Sequence, residues 1–203
     1  MSPFLIKNEE VYLYNFFKNI SEYGIKRIDT SPTYSGGRTQ EIIGQLLNRG
    51  IKYEVTTKVF ADVNNSGEVG LNKNNILNSL NFSLNSLNSK RVDRLLLHDF
   101  DKKVSLTDLS ETINYLFEKN LIMKIGFCKW NYKNIYKILK ILKINHNKIF
   151  VQYPFSYLNK RYEKDLIFCK EQNLKVHKKC FVTKCPLRTI GSTLKKLSGA
   201  KRI

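Results

Sequence analysis

No run in the 203 residues approaches the roughly 18 consecutive apolar residues that a membrane helix needs. The opening segment MSPFLIKNEE turns polar too soon for a secretory signal, so a cytoplasmic location is the expectation. The cysteines Cys128, Cys169, Cys180 and Cys185 contain no C-x-x-C pair, and reduced thiols are expected rather than disulfides. His177, Cys180 and Cys185 do not have the spacing of a common zinc site, so no metal is expected. Acidic residues are scarce, 17 against 35 Lys and Arg, for a net charge of +18. Such an excess suits a phosphate-bearing partner, but the lysines are spread along every helical segment and cluster only in the tail LKKLSGAKRI. With no recognised binding motif, nucleic acid is not the expected partner, and the charge reads as a solvated basic surface.

The composition, 42% hydrophobic and 26% charged, is that of a globular chain able to bury a sizeable core, which excludes disordered and collagen-like classes. No linker divides it, and one domain over residues 1–203 is expected. Leu13, Phe16, Phe17 and Ile20 fall at helical spacing, with Gly24 suited to cap the C-terminal end. A strand over residues 26–30 follows. Thr39 is placed to cap a helix carrying Ile42, Ile43, Leu46 and Leu47, closed near Gly50, ahead of a strand over 53–59. Ile76, Leu80, Leu84 and Leu87 mark a third helix. It leads into VDRLLLHD, whose unbroken apolar run suits a strand buried on both faces. Leu109, Ile113, Leu116 and Phe117 precede a strand over 123–127; Ile135, Ile138, Leu139 and Leu142 precede one over 148–153; a helix around Leu166 and Ile167 precedes LKVHKKCF.

Strict helix–strand alternation predicts a parallel α/β sheet, either open and doubly wound or closed as an eight-stranded barrel. No G-x-G-x-x-G or G-x-x-x-x-G-K-[ST] follows a strand, and Gly36 and Gly37 lie in a loop with neither the spacing nor the lysine of a phosphate cradle. Polar residues instead close strand after strand: Asp29, Lys58, His98 and Gln152, with Tyr34 in the loop after Asp29. In a barrel such strand ends converge on one face, so a (β/α)8 barrel is expected. A carboxylate, a phenol, an ammonium and an imidazole meeting there suit carbonyl reduction. The phenol can protonate the oxygen on which charge develops, a cation beside it favours the phenolate left behind, and the imidazole can orient the carbonyl. Each residue also has a plain structural reading: a turn-forming Asp29, a solvated Lys58 and Tyr34, a buried hydrogen-bonded His98 and a Gln152 that caps backbone.

The strings GIKRIDTSPTY, EVTTKVF, VDRLLLHD, KIGFCKWN and VQYPFSYLNKR, in this order and at these intervals, resemble the aldo-keto reductase family from about Asn8 to about Val176. The likeness is greatest to a bacterial branch that writes the last two regions much as IGVSIYN and IQVPFNVLDKR. The resemblance implies an eight-stranded barrel, NADPH or NADH as cofactor, and a small-molecule carbonyl substrate, an aldehyde or ketone with sugar-linked ones among them. It gives Tyr34 the role of proton donor, with Asp29, Lys58 and His98 as its catalytic companions, and places Gln152 and Cys128 at the nicotinamide amide. Cys128 stands where the family commonly has serine, and Lys129 where many members have asparagine.

The likeness fades after Val176, and six of the eight strands are counted. The expectation is therefore an incomplete barrel, truncated at both ends, in which only SPFLI could serve as a first strand. Such a barrel would leave two sheet edges open to self-association. The alternative to a reductase is a catalytically inactive remnant or an interaction module.

Overall fold

Leu95, Leu96 and Leu97 are all fully buried, Leu95 and Leu97 in the core beneath the helices and Leu96 in a separate inner cluster with Cys128 and Phe150. A strand with both faces covered is the signature of a parallel sheet wrapped by helices. The computed structural model describes residues 3–63, 67, 69–155 and 161–179. Among them six strands, β1 (Arg27–Asp29), β2 (Glu54–Val59), β3 (Val92–Leu97), β4 (Ile122–Cys128), β5 (Ile149–Pro154) and β6 (Lys175–Lys179), form one sheet in sequence order, every neighbouring pair parallel. Each is preceded by a helix: α1 (Pro3–Glu22), α2 (Arg38–Asn48), α3 (Lys73–Ser86), α4 (Leu106–Glu118), α5 (Tyr132–Leu139) and α6 (Glu163–Glu171). The sheet curls until inward side chains of the outermost strands meet, Arg27 Nη1 lying 3.0 Å from His177 Nε2. The architecture is an incomplete (β/α)8 barrel.

Side-chain caps start three of the helices. The side chains of Asn72, Ser105 and Asn131 accept from the backbone N–H three residues on, capping α3, α4 and α5. The second helix differs from the sequence expectation. Gly37, not Thr39, is its N-cap, at φ 94°, because the chain leaves the Tyr34 loop through consecutive left-handed residues at Ser35, Gly36 and Gly37. A Cβ on Gly37 would sit 2.7 Å from the Phe82 ring, so glycine serves both the backbone and the packing there.

Two expectations at the start of the chain fail. Residues 3–6, within the stretch SPFLI, belong to α1 and not to a strand. On the same helix Phe16 is exposed, while Tyr14, Phe17 and Ile20 pack on Leu46, Ile51 and Tyr53. The helix is rotated about its axis relative to the predicted stripe, because the surface offered to it is a corner formed by α2 and the start of β2. Cys128 and Cys169 are buried free thiols. Cys180, Cys185 and the basic tail lie outside the described residues.

Candidate active site

Strand parity selects which side chains face the barrel interior. Asp29 pairs with Thr56, Lys58 with Leu96, and Cys128 with Gln152, so these residues share the inward face. The outward face of β2 is fixed beneath them by a buried polar knot: Gln40 Nε2 donates to Thr57 Oγ1 at 2.7 Å and to Ser83 Oγ at 3.2 Å. Thr57 and Ser83 are themselves 2.9 Å apart.

Lys58 is only 3% exposed. Its ammonium ion-pairs with Asp29 Oδ1, donates to the Thr30 carbonyl at 2.7 Å and lies 3.2 Å from the Tyr34 hydroxyl. A buried ammonium needs this satisfaction, since an unpaired charge there would cost several kcal/mol. Tyr34 is held in a turn by its N–H bonding the Ser31 carbonyl at 3.1 Å, and its side chain is 39% exposed. The phenol therefore faces solvent-accessible space on one side and the ammonium on the other. His98 follows β3, its backbone N–H donating to Val59 at 3.0 Å, and it borders a cavity of about 130 Å³ shared with Lys58 and Tyr34. The four candidate residues are thus neighbours, Lys58 touching both Asp29 and Tyr34.

Gln152 is drawn into the same network. Its Nε2 donates to Asp29 Oδ2 at 2.9 Å, and its Oε1 accepts from the Cys128 thiol at 3.7 Å. It is therefore neither a backbone cap nor open on both amide atoms. Lys129, at φ 62°, places its ammonium 2.6 Å from Asp99 at the rim.

The sequence reading missed the layer below. Arg94, 2% exposed, donates through Nε and Nη2 to Glu54 Oε2 at 3.1 and 2.8 Å and through Nη1 to His177 at 3.1 Å. Burial works against the Glu54 carboxylate, but Arg94, Lys124 and Arg27 prevail and hold its carboxyl below the ordinary range. Burial, then Arg94, Arg27 and Lys175, push His177 down to about 4. A signal was available: Arg27 and Arg94 lie two positions before the inward Asp29 and Leu96 on their strands, so parity alone puts them inside. Above this layer a cavity of about 640 Å³ is lined by Arg27, Asp29, Tyr34, Thr56, Gln152 and His177, among others.

Among the described residues no cluster of His, Cys, Asp and Glu could hold a metal, and no helix is long and apolar enough to cross a membrane.

Comparison with known proteins agrees with this architecture. An aldo-keto reductase of Pseudocercospora fijiensis is 29% identical over 154 residues, covering 74% of this chain and 51% of that protein. The chain thus spans about half the length of that relative. Among solved structures, a thermostable aldo-keto reductase in complex with epalrestat superposes with a TM-score of 0.72 at 20% identity, over 94% of this chain and 68% of the other. A glycerol dehydrogenase of Gluconobacter oxydans superposes with a TM-score of 0.67 at 21% identity, over 77% and 49%. At such identities these two superpositions speak for the fold. Residues 6–179 match the aldo/keto reductase family, and with the sequential parallel barrel this means that the chain belongs to that family.

Proposed function

We propose that the cleft reduces an aldehyde or ketone to the alcohol with NADPH or NADH, Tyr34 acting as proton donor. The observation that carries this reading is the contact of Lys58 with both Asp29 and Tyr34. As the carbonyl π bond breaks and oxygen gains charge, the Tyr34 hydroxyl gives up its proton to that oxygen. The phenolate left behind faces the Lys58 ammonium, which Asp29 and the Thr30 carbonyl hold in place. His98, which lines the same small cavity, is the group to orient the carbonyl oxygen.

NAD(P)H, when bound, supplies the hydride that no side chain can furnish. The residues present fit a nicotinamide. The cavity of about 640 Å³ bordering Tyr34 has the size of small-molecule sites, and Gln152 offers an amide donor and acceptor at its edge. Asp29 and Cys128 occupy that amide now, and a carboxamide would have to replace one of them.

A second reading, a non-catalytic interaction module, draws on the edges of β1 and β6, each of which pairs on one side only among the described residues. One experiment separates the two. Dinucleotide binding is followed by fluorescence and NADPH oxidation with a panel of aldehydes by absorbance, for the parent and Tyr34→Phe. The reductase reading expects dinucleotide affinity unchanged in the variant and turnover reduced by about 10² or more. Absence of dinucleotide binding at millimolar concentration would sink the reductase reading.

A further inference from the structure

The layer beneath Asp29 and Tyr34 is rich in positive charge. The guanidinium groups of Arg27 and Arg94 both donate to one atom, His177 Nε2, at 3.0 and 3.1 Å. A ring nitrogen that accepts from a guanidinium must carry its lone pair, so His177 is neutral with its proton on Nδ1. Two like charges are therefore gathered around a single uncharged acceptor, with Lys124 and Lys175 in electrostatic reach. Glu54 answers Arg94, and Asp29 answers Lys58. Glu54 feels the charge of Arg27, but no carboxylate hydrogen-bonds or ion-pairs with it: among the described residues His177 is the only hydrogen-bond partner of its side chain. A guanidinium has five N–H donors, of which Arg27 spends one on His177, and Arg27 lines the cavity of about 640 Å³.

That cavity also reaches Thr56, whose side chain faces inward beside Asp29, as well as Asp29 itself and Tyr34. A preformed guanidinium, held by a neutral acceptor and hydrogen-bonded to no carboxylate, is the arrangement that binds planar or tetrahedral oxyanions through paired hydrogen bonds. The Phe150 ring, 5.0 Å from the His177 ring centroid and 5.2 Å from the Arg94 guanidinium carbon, stacks on the imidazole and helps keep it in position. We propose that Arg27, held by His177, which Arg94 in turn fixes, seats the oxyanion of the same small molecule whose carbonyl group is offered to Tyr34. The substrate class is then a carbonyl compound bearing a carboxylate or phosphate. The seat itself stands on Arg27 and the imidazole that holds it, while the link to a carbonyl rests on the reductase reading above.

The test uses matched aldehydes on the full chain: 4-carboxybenzaldehyde and benzaldehyde, with affinity read by calorimetry and reduction read by NADPH oxidation. The carboxylated aldehyde should bind about tenfold more tightly, the worth of a charge-assisted hydrogen-bonded pair. Arg27→Met should erase that preference, and Arg27→Lys, which keeps the charge without the planar fork, should keep only part of it. Lys137→Met, on the outer face of α5, should leave it intact, which separates a seat from the general attraction of a +18 surface. Competition by inorganic phosphate against benzoate then distinguishes the two oxyanions. Equal affinity for both aldehydes, or a preference that survives in Arg27→Met, overturns the seat. A preference that depends on Arg27 without any NADPH oxidation keeps the seat and removes the reductase reading. Reduction of both aldehydes with no dependence on Arg27 does the reverse.

Discussion

Lys58 Nζ lies 3.2 Å from the Tyr34 hydroxyl and reaches it from a position where two other oxygens, from Asp29 and Thr30, already hold the ammonium. The cation is thus preorganised beside the phenol and needs no rearrangement when charge develops. Lys58→Met keeps most of the packing and removes the charge. We expect kcat to fall by about 10² or more with dinucleotide affinity little changed, because the lost interaction matters mainly once the proton has left. Steady-state kinetics and a fluorescence titration check this, and a variant with parental kcat would remove Lys58 from the chemistry.

Gln152 separates two ways of helping the same site. Its amide donates to Asp29 Oδ2, so Gln152→Leu frees one oxygen of the carboxylate that holds Lys58. We expect kcat to drop about fivefold, roughly the 1 kcal/mol of one hydrogen bond, with the larger share of the loss in kcat and the smaller in the cofactor KM. A rise in cofactor KM at constant kcat would instead mark Gln152 as a pure binding residue.

The barrel interior has its own packing constraint. A Cβ on Gly126 would sit 2.3 Å from the Phe150 ring and 2.7 Å from Leu96, so the glycine is what admits the ring. Gly126→Ala should destabilise the fold by about 1–3 kcal/mol, the usual cost of overpacking. Adding Phe150→Leu should recover much of that loss. Urea unfolding of the two variants measures both, and additive losses would show that the ring and the methyl never compete.

The fold was legible because its two signals are local. Helical spacing and the unbroken run VDRLLLHD are written in neighbouring residues, and strand ends at Asp29, Lys58 and Gln152 follow from where those runs stop. The meeting of Asp29, Lys58 and Tyr34 needed only the rule that strand ends converge. What escaped depends on contacts between distant segments. The bond from Gln152 to Asp29 spans 123 positions and that from Arg27 to His177 spans 150, and no periodicity announces a partner so far away. Phe16 was misjudged for a related reason: which stripe of α1 is buried depends on the corner that Leu46, Ile51 and Tyr53 form, and that corner is tertiary. Thr39 lost its capping role to Gly37 because the left-handed turn after Tyr34 ends before Thr39 is reached.

His177 makes stability depend on pH in a defined window. Burial, with Arg94, Arg27 and Lys175, pushes the ring from 6.5 down to about 4, against the pull of Asp29. Below about pH 6.5 the unfolded chain binds a proton on this residue that the folded chain refuses until about pH 4. More protons on the unfolded state mean that stability falls as the pH drops through this range. The contribution is fully present above about pH 6.5 and is lost progressively toward pH 4. Its size is roughly 2 kcal/mol, below the full value of the shift because the half-buried ring keeps some solvent. Glu54, held against the effect of burial below the ordinary carboxyl range chiefly by Arg94, adds its own loss at lower pH. His177→Gln retains an oxygen acceptor for both guanidinium groups and cannot be protonated there. Urea unfolding at a series of pH values should therefore show a slope between pH 4.5 and 6.5 that is present in the parent and flattened in the variant. A variant as steep as the parent would assign the slope to other groups and remove the buried neutral imidazole from the account.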